Sequence, residues 1–141
     1  MILSFKPQFK QSILDGSKIH TIRADKTNRW KVGNTIHFAT GVRTSDYNCF
    51  NKGVCVGVQK IQIRRCYGKD VRIDGIGLSR GDIKNLAIND GFASVESFFD
   101  WFNEDFEGKI IHWTDFKYFY QKDIDDSEYI LDNDCPEIIV G

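Results

Sequence analysis

Gly16-Ser17-Lys18-Ile19-His20-Thr21-Ile22-Arg23 gathers two cations, an imidazole and two hydroxyls into eight residues. The residues before it predict a short strand over Ile2–Phe5 and then a helix. Pro7 suits the opening turn, where a missing amide proton costs nothing. Phe9, Ile13 and Leu14 recur at helical spacing, and Gly16 suits the left-handed residue that closes a helix. A polar turn, Asp25-Lys26-Thr27-Asn28, follows the segment. In an ideal strand Lys18 and Thr21 would face opposite sides. They converge only if the strand starts after Lys18 or contains a bulge, and Gly16 makes such a break reasonable. Arg23 shares the face of Thr21.

Further out, Gly33-Asn34 marks a turn, and residues 35–40 alternate as a strand should. Residues 41–53 read as a loop. Residues 54–63 alternate again, with Val54, Val56 and Val58 set against Cys55, Gly57 and Gln59. A short strand over residues 71–73 runs into the turn Asp74-Gly75-Ile76-Gly77. Ser79 with Asp82 resembles a capping arrangement for a helix that buries Ile83, Leu86 and Ala87. Ser94 caps a second helix, with Val95, Phe98, Phe99, Phe102 and Phe106 on one face, as core and not as a cofactor box. Residues 109–116 complete the pattern as a last strand. This order predicts an α+β fold, a mostly antiparallel sheet closing into a small β-barrel with flanking helices. The expected domain spans residues 1–119, followed by an acidic tail over residues 120–141.

The chain has 141 residues, 41% hydrophobic and 13% aromatic, which suits one domain with a substantial core. Its apolar runs fall far short of the ~20 residues needed to span a bilayer. The N-terminus lacks the basic and apolar regions of a secretory signal, so the expectation is a cytoplasmic protein without membrane contact. Cys49, Cys55, Cys66 and Cys135 are expected as reduced thiols, and no Cys-x-x-Cys occurs. His20, His37 and His112 lie far apart, so neither a metal nor another cofactor is expected. The net charge of -1 hides an asymmetry: residues 1–84 hold 16 Lys+Arg and 6 Asp+Glu, whereas residues 85–141 hold 3 and 14. A basic N-terminal part favours a polyanionic or phosphate-bearing ligand, unless the two halves neutralise each other across one surface.

Residues 16–23, preceded by a strand and a helix, resemble the signature region of the ASCH family, whose fold is PUA-like. Trp30-Lys31-Val32-Gly33 ahead of the strand at Ile36 is similar to the family's lead into its next barrel strand. Asp90-Gly91-Phe92 with Ser94, Glu96 and Phe98 is similar to its helix junction. The resemblance covers roughly residues 1–119, and three weak motifs in the right order make it fairly specific. It implies a cleft on the barrel that accepts RNA or nucleosides. It also implies, for some bacterial members, hydrolysis of 4-acetylcytidine by a lysine, a threonine and a glutamate. Lys18 and Thr21 match two of these residues. The acid position falls on Asp90, one methylene shorter than glutamate, which weighs against hydrolysis and leaves binding intact.

On residue chemistry alone, Lys18 becomes a base or nucleophile if burial or neighbouring cations such as Arg23 and His20 lower its pKa. Thr21 would then supply a hydroxyl, and Asp90 a proton shuttle. The plain alternative is that Lys18 solvates a helix exit, Thr21 packs in a strand and Asp90 caps or pairs. Lys6, Arg23 and Arg43 are the expected ligand contacts, Arg23 as a fork for phosphate or base and Arg43 from a loop. Trp30 and Phe50 either stack on a base or fill the core. Three functions follow: a module binding RNA or a modified nucleoside, an amidohydrolase acting on acylated cytidine, and a protein-binding adaptor. The tail, with seven acidic residues between 121 and 141, is either disordered or docked on the basic surface through its apolar triplets.

Overall fold

Two strand systems, separated by a switch of the chain at Cys55 and Val56, set the architecture in a computed structural model that describes residues 1–65 and 68–119. The elements are β1 (Ile2–Phe5), a 3-10 turn (Pro7–Phe9), α1 (Lys10–Leu14), β2 (His20–Arg23), β3 (Thr35–Thr40) and β4 (Asn48–Val54). Then come β5 (Gly57–Arg64), β6 (Asp70–Ile73), β7 (Ile76–Gly77), α2 (Arg80–Asn89), α3 (Val95–Trp101) and β8 (Phe106–His112). One sheet has the order β1-β3-β4, with β1 parallel to β3; the other runs β2-β8-β5-β6-β7 and is antiparallel throughout. The fold is therefore α+β with mostly antiparallel sheets. Among the described residues the two sheets do not close into a continuous hydrogen-bonded barrel.

Period-two patterning explains β5: Gln59, Ile61 and Ile63 face inward, while the residues between them are half-buried or exposed. Ile36, Phe38, Ile73, Ile110 and Ile111 are likewise buried in the core, Ile110 on the Gln59 face of its sheet and Ile111 on the opposite face, and Leu86, Phe98 and Phe99 join the core from the helices. Both longer helices start at reciprocal caps, Ser79 with Asp82 and Ser94 with Ser97.

The structure departs from the sequence reading at several places. Residues 76–77, expected within a turn, pair with β6 as the two-residue strand β7. Residues 48–54, expected as loop, form β4; this edge strand is half exposed and the β3 register shifts at Phe38/Ala39, which removes the alternation that identifies a strand. β5 begins at Gly57 and not at 54, because the chain changes sheets just before it: Gly33 N–H and Val56 N–H donate to Cys55 and His112 carbonyls. Phe106 belongs to β8, not to the second predicted helix. That helix ends at Trp101, where Arg65 donates to the Phe99 and Phe102 carbonyls left without helical partners. β8 accordingly spans 106–112 and not 109–116. Among the described residues no helix is long and apolar enough to cross a membrane. Cys66, Cys135 and the tail reading fall outside the described residues.

Candidate functional site

The site begins where α2 ends. Asp90 caps its C-terminus, Gly91 follows in the left-handed region at φ 92°, and Ile19 N–H donates to the Asn89 carbonyl. β2 starts only at His20, so Lys18 lies in the irregular link ahead of it and is free to turn toward the same cleft as Thr21. The Lys18 Nζ donates to the Asp90 backbone carbonyl at 2.6 Å and approaches its Oδ1 at 3.3 Å. A cation at a helix C-terminus is electrostatically favoured, and here it also compensates a carboxylate that the helix end would otherwise repel. The stem of Lys18 crosses Gly91 closely: a Cβ there would sit 3.1 Å from Lys18 Cδ and 3.2 Å from Phe9 Cδ1. Gly91→Ala is therefore expected to cost about 1–2 kcal/mol from the left-handed backbone alone. Urea denaturation checks this, and an unchanged midpoint would contradict the packing described.

Lys18 is 2% exposed, and its ammonium stands 4.9 Å from the Phe9 ring centre and 5.7 Å from that of Phe5. Burial holds its pKa below the ordinary lysine value; Asp90 opposes this shift and the Arg23 guanidinium adds to it. Arg23 lies over Phe5 at 4.8 Å, donates from Nη2 to the Ser4 carbonyl at 2.6 Å and from Nε to Thr21 Oγ1 at 3.2 Å. The Thr21 hydroxyl thus accepts from Arg23, which leaves its own proton to be directed elsewhere.

Behind Asp90 runs a buried chain of hydrogen bonds. His20 Nδ1 donates to Asp90 Oδ1 at 3.0 Å, Tyr118 Oη donates to His20 Nε2 at 2.7 Å, and Asn89 Nδ2 donates to Tyr118 Oη at 3.2 Å. Burial lowers the His20 pKa and raises that of Tyr118, so the imidazole is neutral in this tautomer. The sequence reading of His20 as a cation beside Lys18 is corrected here: it is fully buried on the strand face opposite Thr21 and supports Asp90 from behind. Both side-chain contacts to the Asp90 carboxylate go to Oδ1; among the described residues Oδ2 carries no hydrogen bond.

Lys6, Lys18, Thr21, Arg23, Arg43 and Asp90 all line one open cleft of about 1340 Å³. Asp90 is 72 residues from Lys18 in sequence, and the end of α2 brings them together. Arg29 joins the lining, so five cations face one carboxylate across the cleft. Arg43 holds φ 66° in a turn tied by the Thr44 hydroxyl donating to the Gly41 carbonyl, a strained conformation of the kind that collects at ligand sites. Tyr47 and Trp101, which the sequence reading missed, border the cleft at 48% and 44% exposure. Trp101 is oriented by edge contacts to Phe9 and Phe92. Of the two aromatics weighed as stacking or core residues, Trp30 is in the core, and Phe50 packs on Phe38 outside the cleft. Among the described residues no group of three or more His, Cys, Asp or Glu is placed to hold a metal. Compared with family models, curated proteins and solved structures, the chain matches none.

Proposed function

We propose that this cleft binds RNA or a modified nucleoside, and that the chain is a PUA-like domain of the ASCH type whose barrel is incompletely closed. The observation that carries the reading is the meeting of five cations, one carboxylate and two exposed aromatic rings in one cleft. A nucleoside has the complementary parts: a flat base to lie on Trp101 or Tyr47, edge acceptors for Arg23 or Arg43, and in RNA a phosphate for the remaining cations. Titrating cytidine and short single-stranded RNA at low ionic strength, followed by tryptophan fluorescence, tests it. Trp101→Ala is expected to weaken binding by roughly 5- to 150-fold, the equivalent of losing one stacked base at ~1–3 kcal/mol. No binding of either ligand by the unmodified protein would end this reading.

A second reading, deacylation of an acylated cytidine, is favoured by the burial of Lys18, Thr21 and Asp90 at the cleft floor. In this scheme neutral Lys18 takes the Thr21 proton as Oγ1 attacks the amide carbonyl carbon. The proton passes through Asp90 to the departing amine as the C–N bond breaks, and water then releases the acyl group from Thr21. Asp90 Oδ1, 3.3 Å from the Lys18 Nζ, and Oδ2, which carries no hydrogen bond among the described residues, suit that transfer.

A further inference from the structure

Beside the cleft lies a second hollow of about 320 Å³ that the cleft chemistry does not use. Arg23, Arg29, Ile2 and Ser4 line both spaces, Lys6 and Arg43 line only the cleft, and Lys26 lines only the hollow. The cations therefore form one path, from Lys6 and Arg43 through Arg23 and Arg29 to Lys26. The Arg23 Nη2 bond to the Ser4 carbonyl fixes the guanidinium between the two spaces.

Asp25 also borders the hollow, but its charge is already spent. Its Oδ1 accepts from Arg29 N–H at 2.8 Å, and its Oδ2 from Trp30 N–H at 3.1 Å and Lys109 Nζ at 3.3 Å. Its side chain is 2% exposed, and these bonds hold its pKa below the usual carboxylate value against the opposing effect of burial. The same contacts pin the turn: Asn28 N–H donates to the Asp25 carbonyl, Lys109 bonds the Asn28 side chain, and Asp25 and Asn28 both hold positive φ. The side chains of Lys26 and Arg29, by contrast, are exposed and make no ion pair among the described residues. Two unpaired cations carried on a rigid turn, next to a neutralised carboxylate, make an anion site prepared before any ligand arrives.

We infer that this hollow holds the backbone phosphate of a neighbouring nucleotide, so that the cleft takes a nucleotide within a single-stranded RNA chain in preference to a free nucleoside. The inference rests on the nucleoside or RNA reading of the cleft. A free nucleoside has no phosphate to place there, whereas a chain leaving the cleft past Arg23 meets Arg29 and then Lys26.

The test compares cytidine with an oligocytidylate of roughly 5 nucleotides, a length within the usual range of single-strand sites, over a series of salt concentrations. The oligomer is expected to bind more tightly, with log affinity falling as salt rises, while cytidine binding stays nearly flat. Lys26→Ala is expected to leave cytidine affinity unchanged and to make the oligomer's salt slope shallower by about 0.7, the loss of one phosphate contact on a single strand. Lys26→Glu should weaken the oligomer further. Both substitutions fall on an exposed turn residue, so the fold is retained. Cytidine binding without any gain for the oligomer would overturn the inference and leave the cleft reading standing. A gain that Lys26→Ala and Lys26→Glu do not diminish would overturn the assignment to this hollow. Binding of neither ligand would overturn both readings.

Discussion

Lys18→Ala is expected to lower turnover of 4-acetylcytidine by roughly 10²-fold or more while changing the affinity for cytidine little. The two effects separate because Lys18 sits at the floor and the stacking rings sit at the rim. Removing the amine takes away the base that would activate Thr21, along with the donor that bonds the Asp90 carbonyl and approaches its carboxylate. Lys18→Arg should fail as well. A guanidinium remains protonated and cannot act as a base, and the passage over Gly91 leaves little space for its planar fork. Breaking a buried pair from one side costs ~3–5 kcal/mol, so loss of activity has to be separated from loss of fold. Lys18→Met keeps most of the stem that packs over Phe9 and serves as the second variant, with urea denaturation run on both. Turnover by folded Lys18→Met at the unmodified rate would remove the hydrolytic reading. Absence of turnover in the unmodified protein would remove it too, and would leave ligand binding as the function of the cleft.

What the sequence disclosed about this site follows from the range over which local patterns act. Gly16, Lys18, Thr21 and Arg23 lie within one short segment, where a helix stop and a strand start are legible from spacing and from glycine. The helix caps at Ser79 and Ser94 were equally local. Asp90 was reached only through a family pattern, since nothing in its own neighbourhood points at a lysine 72 residues earlier. His20 illustrates the limit from inside the motif. Its position was plain, but its charge state depends on Tyr118, 98 residues away, and on complete burial, and neither leaves a trace in local sequence. Strand β4 was lost for a different reason: a half-exposed edge strand paired across a register shift does not alternate cleanly, and polar Asn48, Asn51 and Lys52 read as loop. Tyr47 was hidden within a segment read as loop, and Trp101 by its resemblance to an ordinary core aromatic. Only their exposure beside the cleft distinguishes them, and exposure is a property of the fold.

Lowering the pH from 7 to 4.5 is expected to cost the fold about 3 kcal/mol through His112 alone, with a further loss in the same direction from His20. Both imidazoles are fully buried, with ring centres 5.3 Å apart. His112 donates from Nε2 to Gln59 Oε1 at 2.9 Å, while its buried Nδ1 has no hydrogen-bond partner among the described residues. A proton added to Nδ1 would find no acceptor among the described residues. Burial, with smaller contributions from His20 and Lys117, pushes the His112 pKa down from 6.5 to about 3. In the unfolded chain both histidines take up protons as the pH falls through ~6.5, whereas in the folded state His112 stays neutral until about 3. The unfolded state therefore binds more protons across this window, and stability present at neutral pH is lost as the pH falls. Asp25, whose folded pKa is depressed, gives up its stabilisation mainly as the pH drops below its unfolded value of 3.8 and contributes little at pH 4.5; the comparison with His112→Gln separates the His112 share from that of other buried bases such as Lys18. Urea midpoints at pH 7 and pH 4.5 measure the loss, and His112→Gln should remove roughly the His112 share of the difference even if it lowers stability at both. Equal midpoints at the two pH values would mean that the histidines titrate alike in the folded and unfolded chains. The neutral His20 that supports Asp90 from behind would then have to be abandoned along with the acid lability.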